Sequence, residues 1–378
     1  MFTKFLKSIS SKNVVLLKPL MKNNIMQNPV IFWYSKISDL KDYRYIYLWN
    51  LYAQKAKLQK VFNRIERNKS KLEVAQYEIL KKEIKFIYRK IDFLKNVYDF
   101  EANKIDSKYK ISYPEFDYDY YNKIFFWVTK SDILKDIVIT EQEEYNQFIT
   151  KNQLIELLSF SVEKITWLKY KFWAYAFMSH SSWVLVIPNK KLYSNRELVT
   201  LFFHEMTHFF RRYNNIRNFG TNYGFSDYMK IEEWFALYNE YLYGEKLIPW
   251  LKYNAYYDAC YNILLNKKYN QKQRIEHIYK ILKVKWFSRE KSLHYYYRFH
   301  RYTSLWAKQF FLKDLVYTKW YELVNKKINT NSKYYDIFFS WRIGMSLIKA
   351  KLYNTTNNFD TKNYFESILV EIQKKIWS

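Results

Sequence analysis

A single cysteine, Cys260, stands in the 378 residues, which excludes a disulfide framework and any cysteine-rich metal site. Long apolar runs are missing as well. No window approaches the roughly 18 uncharged apolar residues of a membrane span. The basic opening MFTKFLKSISSKNVVLLKPLMKN holds an apolar run only from Val14 to Leu17, too short for the core of a signal peptide. The expected location is therefore the cytoplasm. Acidic residues are outnumbered, 36 against 63 Lys and Arg, leaving a formal charge of +27. Such an excess permits attraction to nucleic acid, anionic lipid or acidic peptides. Genome composition is the competing explanation, because Lys, Asn, Ile, Tyr and Phe run high while Gly, Pro and Ala run low. No block resembles a nucleic-acid-binding module, so no specific nucleic-acid partner is expected. Glycine is the scarcest of the structural residues, 4 against 13 tryptophans, where about 7% glycine is usual.

What is present is core material. Hydrophobic residues make up 49% of the chain and aromatic residues 21%, far from a disordered composition. The length suits one large domain, or a catalytic domain with a smaller companion. Residues 38–103 interleave Lys, Glu and Gln with Leu, Ile, Val and Tyr at three-to-four spacing, which predicts two long helices. The turn between them is expected within IERNKSK (65–71), giving an antiparallel hairpin that serves as scaffold. Pro114 and the string EFDYDYY mark a loop and a domain boundary.

Helical periodicity returns at 142–165. The runs from Tyr170 to Phe177 and from Ser182 to Ile187 are aromatic and β-branched, and read as two strands. From Ser194 onward the pattern is helical, with breaks expected near Asn214–Ser226, Pro249 and Asn354–Asn358. The expected class is α+β, mainly helical. A helical N-terminal region (1–122) precedes a second domain (123–378), whose small sheet lies next to the helix carrying HEMTH.

That helix carries the chemistry. Ser194 with Glu197 three residues on forms the pattern of a capping box. Within the helix it starts, His204 and His208 lie four residues apart and project from one face. They can close two corners of a tetrahedral zinc site. Glu205 sits ~100° round the helix from His204, placed to act as general base on a metal-activated water rather than as a ligand. A third ligand is required, and KIEEWFALYNEYL supplies two choices. Glu232 and Glu233 lie 24 and 25 positions beyond His208 (232 − 208 and 233 − 208). Glu240, two turns after Glu233, is placed to orient a histidine ligand or to be solvated on the helix surface.

HEMTH followed by a glutamate-bearing helix resembles the gluzincin class of zinc peptidases, which implies that the domain over 123–378 is zincin-like. In that class the ligand glutamate is often followed three residues later by a small residue. This implies Glu233, which has Ala236 there, as the ligand, with Glu232, which has Phe235, beside the metal or in reserve. HEMTH, Arg211, Asn214, EEWFA, RFHR (298–301), KDLVY (313–317) and NPVIFWY (28–34) together resemble the tyrosine carboxypeptidases typified by the microtubule-associated MATCAP enzymes, which have bacterial relatives. The likeness is strongest over residues 180–345. One departure is the ordinary HExxH spacing, one residue shorter than that family's.

The resemblance implies one Zn(2+) per chain and removal of a C-terminal residue, perhaps aromatic, from a peptide or protein substrate. A carboxypeptidase needs a cation for the substrate's carboxylate. Arg298, Arg301 and Arg211 are the candidates, and Tyr317 is the candidate donor to the oxyanion. The family has glycine where this chain has Trp234, Trp306, Trp320 and Trp341. With the glycine scarcity, that substitution is the mark expected of a gene in which UGA encodes glycine. The alternatives to a peptidase are an inert zinc-binding scaffold that binds a partner, and a basic nucleic-acid-binding protein.

Overall fold

The computed structural model describes residues 37–105, 147–165, 168–173, 177–179, 183–219, 228–248, 256–283, 321–340 and 360–377, with residues 1, 2, 4, 5, 8, 9, 292, 296 and 342. These are mainly helical with two small sheets, as the periodicity predicts. Helix α1 (Ile37–Arg67) and helix α2 (Val74–Ile105) flank a short 3-10 turn, Lys69–Lys71. Their cross-links run antiparallel: Lys55 to Asp92 at 2.9 Å, Tyr88 to Gln59 at 2.7 Å and Tyr77 to Glu66 at 2.7 Å. Leu58 and Ile65 on one helix and Leu80, Ile84, Ile87 and Ile91 on the other are buried. That apolar seam supplies the stability, because exposed ion pairs such as Lys55–Asp92 add little. The expected boundary at 122/123 lies outside the described residues.

The sheets differ from the expected pair of strands. Strand β1 (Phe148–Thr150) precedes α3 (Lys151–Lys164), so the start of the helical stretch is extended instead. The run 170–177 contributes to two strands, β2 (Lys169–Trp173) and β3 (Phe177–Ser179), rather than one. Strand β4 (Val184–Pro188) lies between them, parallel to β2 and antiparallel to β3. Its residues Leu185, Val186 and Ile187 are all buried, the mark of a strand covered on both faces. Strand β5 (Leu192–Ser194) pairs antiparallel with β1, Phe148 opposite Ser194. This pairing anchors the residue from which the HEMTH helix departs.

At that residue the capping box is complete. The Glu197 amide donates to Ser194 Oγ at 3.3 Å, and the Ser194 amide donates to Glu197 Oε2 at 3.1 Å. Three helical pieces follow without a break: α4 (Asn195–Val199), a π segment (Thr200–Glu205) and α5 (Met206–Phe219). The π segment is a difference from the regular helix expected. It ends on His204 and Glu205, in keeping with the way such widened turns collect at functional positions. Leu201, Phe202, Phe203 and His204 are buried in succession, so this stretch is walled on all sides.

The remaining described helices are α6 (Met229–Gly244), α7 (Tyr256–Leu265), α8 (Gln271–Lys283), α9 (Tyr321–Thr330), α10 (Lys333–Ser340) and α11 (Thr361–Trp377). Helix α6 packs along the π segment and α5, and α10 along α5. Aromatic rings cement these contacts: Phe210 lies 5.0 Å from Tyr364 and 5.7 Å from Phe365, and Phe235 lies 4.6 Å from Phe339. Each such pair adds about 0.5–1.5 kcal/mol beyond its area burial. Among the described residues no helix is long and apolar enough to cross a membrane.

One further difference concerns Asn214. The helix was expected to break there, yet α5 runs on to Phe219. Asparagine breaks helices by offering its side chain to the local backbone. Here Asn214 and Asn218 donate instead to Phe339 O at 3.1 Å and Ser340 O at 2.9 Å, and Asn215 accepts from the Arg342 amide at 3.2 Å.

Among the described residues Trp183 is the one non-glycine with positive φ, 56°. A β-carbon in that region costs about 1–2 kcal/mol, and glycine is the ordinary occupant. Two outcomes follow. Ser194→Ala should lower stability by about 1 kcal/mol in chemical denaturation, through loss of the cap. If glycine is the natural residue at the tryptophan positions, the codons at 183, 234, 306, 320 and 341 read UGA; UGG at them removes that idea.

Candidate metal centre

The site forms where α6 crosses the joint between the π segment and α5. His204 closes the π segment and His208 lies one turn on in α5, with ring centroids 4.9 Å apart. Both histidines are buried. From α6, Glu233 Oε2 comes to 3.5 Å from His204 Nε2 and 3.6 Å from His208 Nε2. The three ligand atoms lie within 4.8 Å of one another. A tetrahedral ion with bonds of ~2.0–2.1 Å sets its donors roughly 3.4 Å apart. Two imidazole nitrogens and one carboxylate oxygen so grouped could hold a metal ion.

Each imidazole is held from behind through its other nitrogen. Glu240 Oε2 lies 3.0 Å from His204 Nδ1, and Thr200 Oγ1 donates to Glu240 Oε1 at 3.4 Å. Glu232 Oε1 lies 3.2 Å from His208 Nδ1. With Nδ1 donating to a carboxylate, Nε2 is left as the lone-pair atom facing Glu233, the tautomer a ligand needs.

Glu232 is 2% exposed, and a lone buried carboxylate costs several kcal/mol. Two guanidiniums offset that cost. Arg211 Nη1 lies 3.0 Å from Glu232 Oε2, and Arg342 spans both oxygens, Nη2 to Oε1 at 3.1 Å and Nε to Oε2 at 3.2 Å.

Charge settles accordingly. Burial pushes the Glu232 carboxyl upward, but the Arg342 and Arg211 guanidiniums and His208 outweigh it and hold Glu232 far below the carboxylate range. Glu233 is likewise held low, burial being overcome by His208 and His204. Burial lowers both imidazoles, yet Glu233 and Glu232 bring His208 up to about 9, and Glu233, Glu240 and Glu205 raise His204 well above its usual value. In the metal-free chain, protons on the imidazoles thus supply the positive charge that a cation supplies when bound.

The sequence-predicted residues fall into three groups. His204, His208 and Glu233 converge on one point, with Glu205 on the same helix and Glu232 and Glu240 behind the histidines. Arg211, a candidate for the substrate's carboxylate, is placed otherwise: it is fully buried, ion-paired to Glu232, and its Nε donates to Phe338 O at 2.8 Å. Arg298, Arg301, Tyr317, Trp306, Trp320 and Trp341 lie outside the described residues. Trp234, between Glu233 and Phe235, is fully buried within the core. Sequence reading missed Arg342, which is 110 residues from its partner Glu232 and has no local pattern to announce it.

Comparison with family models, with curated proteins and with solved structures finds no match to this chain.

Alanine at His204, His208 or Glu233 should abolish stoichiometric Zn(2+) uptake, read by mass spectrometry of the dialysed protein. Glu240→Ala should keep the ion but weaken it about 10–100-fold in chelator competition, the ordinary effect of losing a carboxylate behind a ligand histidine.

Proposed function

We propose that the chain is a zinc-dependent peptidase of the gluzincin type, acting as a carboxypeptidase on the C-terminus of a peptide or protein. The observation that carries this reading is the convergence of His204 Nε2, His208 Nε2 and Glu233 Oε2 beside Glu205. Zinc, when held by these three side chains, supplies Lewis acidity toward a carbonyl and an acidified water.

The chain's own groups do the rest. Glu205 follows His204 directly, acts on that imidazole through its charge and stands outside the group of three. It is placed to take a proton from the attacking water and to hand it to the departing amine. Glu240 and Glu232 hold the Nδ1 protons of the two histidines, so the rings do not turn during that exchange. The walls around the π segment exclude bulk water, which strengthens every charge interaction in the site.

The likeness to the tyrosine carboxypeptidases supports removal of a single, perhaps aromatic, C-terminal residue. Arg298 and Arg301 are the cations proposed for the substrate's carboxylate, and Tyr317 the donor proposed for the oxyanion. Arg211, buried and paired with Glu232, is not proposed for that role.

Glu205→Gln should leave the zinc content unchanged and lower kcat by about 10²–10⁴-fold, the usual worth of a positioned general base. A mixed peptide library should lose single C-terminal residues; internal cuts would overturn the carboxypeptidase assignment, and full activity of the Glu205→Gln protein would overturn the mechanism.

A further inference from the structure

We propose that Arg342 is a positioning residue for the metal, acting through Glu232 to aim His208 and to reserve the third ligand place for Glu233. The proposal rests on the metal-site reading above and takes it one layer outward.

Glu232 and Glu233 are adjacent, and both lie close to His208. What separates their roles is what else each touches. Glu232 Oε1 faces His208 Nδ1 and Arg342 Nη2, and its Oε2 faces Arg342 Nε and Arg211 Nη1, all between 3.0 and 3.2 Å. Both oxygens are thus engaged twice, and the carboxylate cannot swing toward the metal without breaking a two-limbed guanidinium pair. Among the described residues Glu233 pairs with no guanidinium and reaches the two Nε2 atoms instead.

Arg342 is itself placed by the HEMTH helix. Its amide donates to Asn215 Oδ1 at 3.2 Å, and its guanidinium lies 4.6 Å from the Tyr228 ring centre. It follows α10 by two residues, and the last three carbonyls of α10 are taken by side chains of α5. Arg211 Nε donates to Phe338 O, Asn214 Nδ2 to Phe339 O and Asn218 Nδ2 to Ser340 O, at 2.8, 3.1 and 2.9 Å. These are the carbonyls a helix end leaves without partners, and the end is negative in the helix dipole. The chain of support closes on itself: α5 grips the end of α10, that end delivers Arg342, Arg342 fixes Glu232, and Glu232 fixes His208 on α5.

The test uses the full-length protein and Zn(2+) in competition with a chromophoric chelator. Arg342→Met should weaken zinc about 10–100-fold, and Arg342→Lys, which keeps the charge but loses the fork, should fall between it and the wild type. In a Glu232→Gln background, Arg342→Met should cost less than about twofold, because the route of action is already cut. Asn218→Ala, which removes one carbonyl cap remote from the ligands, should lower thermal stability and leave zinc affinity within about twofold. Unchanged zinc affinity in Arg342→Lys and in folded Arg342→Met overturns the proposal, as does an equal loss with and without Glu232. Should Arg342→Met not fold, the Lys variant decides alone. A wild-type protein that takes up no zinc overturns the metal reading itself, an outcome distinct from either of these.

Discussion

A carboxylate stripped of water governs the arrangement of this half of the chain. Glu232 lies at the crossing of α6 with the HEMTH helix and is 2% exposed. Its burial is tolerable only because two guanidiniums and an imidazole meet it, two of them from α5 and one from beyond α10. Each partner pins something different. Arg211 belongs to α5, Arg342 follows α10, and His208 faces the metal position. Losing any one would leave a buried charge without its counterpart, the costliest kind of substitution. The crossing of α5, α6 and α10 is therefore specified by ionic geometry as well as by the aromatic packing of Phe210, Phe235 and Phe339.

A second set of polar contacts works in the same crossing without charge. Thr207 lies inside HEMTH but donates to Phe203 O at 2.6 Å, and Asn239 Nδ2 donates to Thr207 Oγ1 at 3.0 Å. Tyr335 in α10 donates to Asn239 Oδ1 at 3.1 Å. Burial holds the Tyr335 hydroxyl well above its usual range, so it remains a donor. The two x positions of the motif thus do different structural work. Met206 fills core volume, and Thr207 fastens the helix to α6 and, through Asn239, to α10. Rigid elements locked in this way hold ligands more closely than loops do.

Local patterns made part of this legible. The capping box needs only Ser194 and Glu197, and the ligand histidines need only a spacing of four. Glu233 and Glu240 follow from one helix periodicity, since they lie two turns apart on the same face. The helical hairpin was readable for the same reason. What was not readable depended on tertiary partners. Asn214 reads as a helix breaker until the end of α10 is there to receive it. Arg211 reads as a free cation until Glu232 is placed beside it. Arg342 carries no signal at all, because its partner lies 110 residues away. The strand run 170–177 was assigned as one piece because aromatic residues favour strands on both sides of a reversal.

The charge pattern links architecture and chemistry. A site built for substrate alone has no need of three histidine-facing carboxylates beneath an imidazole pair, because their mutual repulsion is unfavourable in a dry pocket. The arrangement becomes favourable once positive charge stands between them. Protons on His204 and His208 meet that need, as a cation held between them would. Arg211 and Arg342 offset the charge of Glu232. Arg211 and Arg342 thus bear on the candidate metal centre through Glu232, outside its group of His204, His208 and Glu233. A position two residues beyond the end of a remote helix can then bear on the candidate site as directly as a residue of the HEMTH motif.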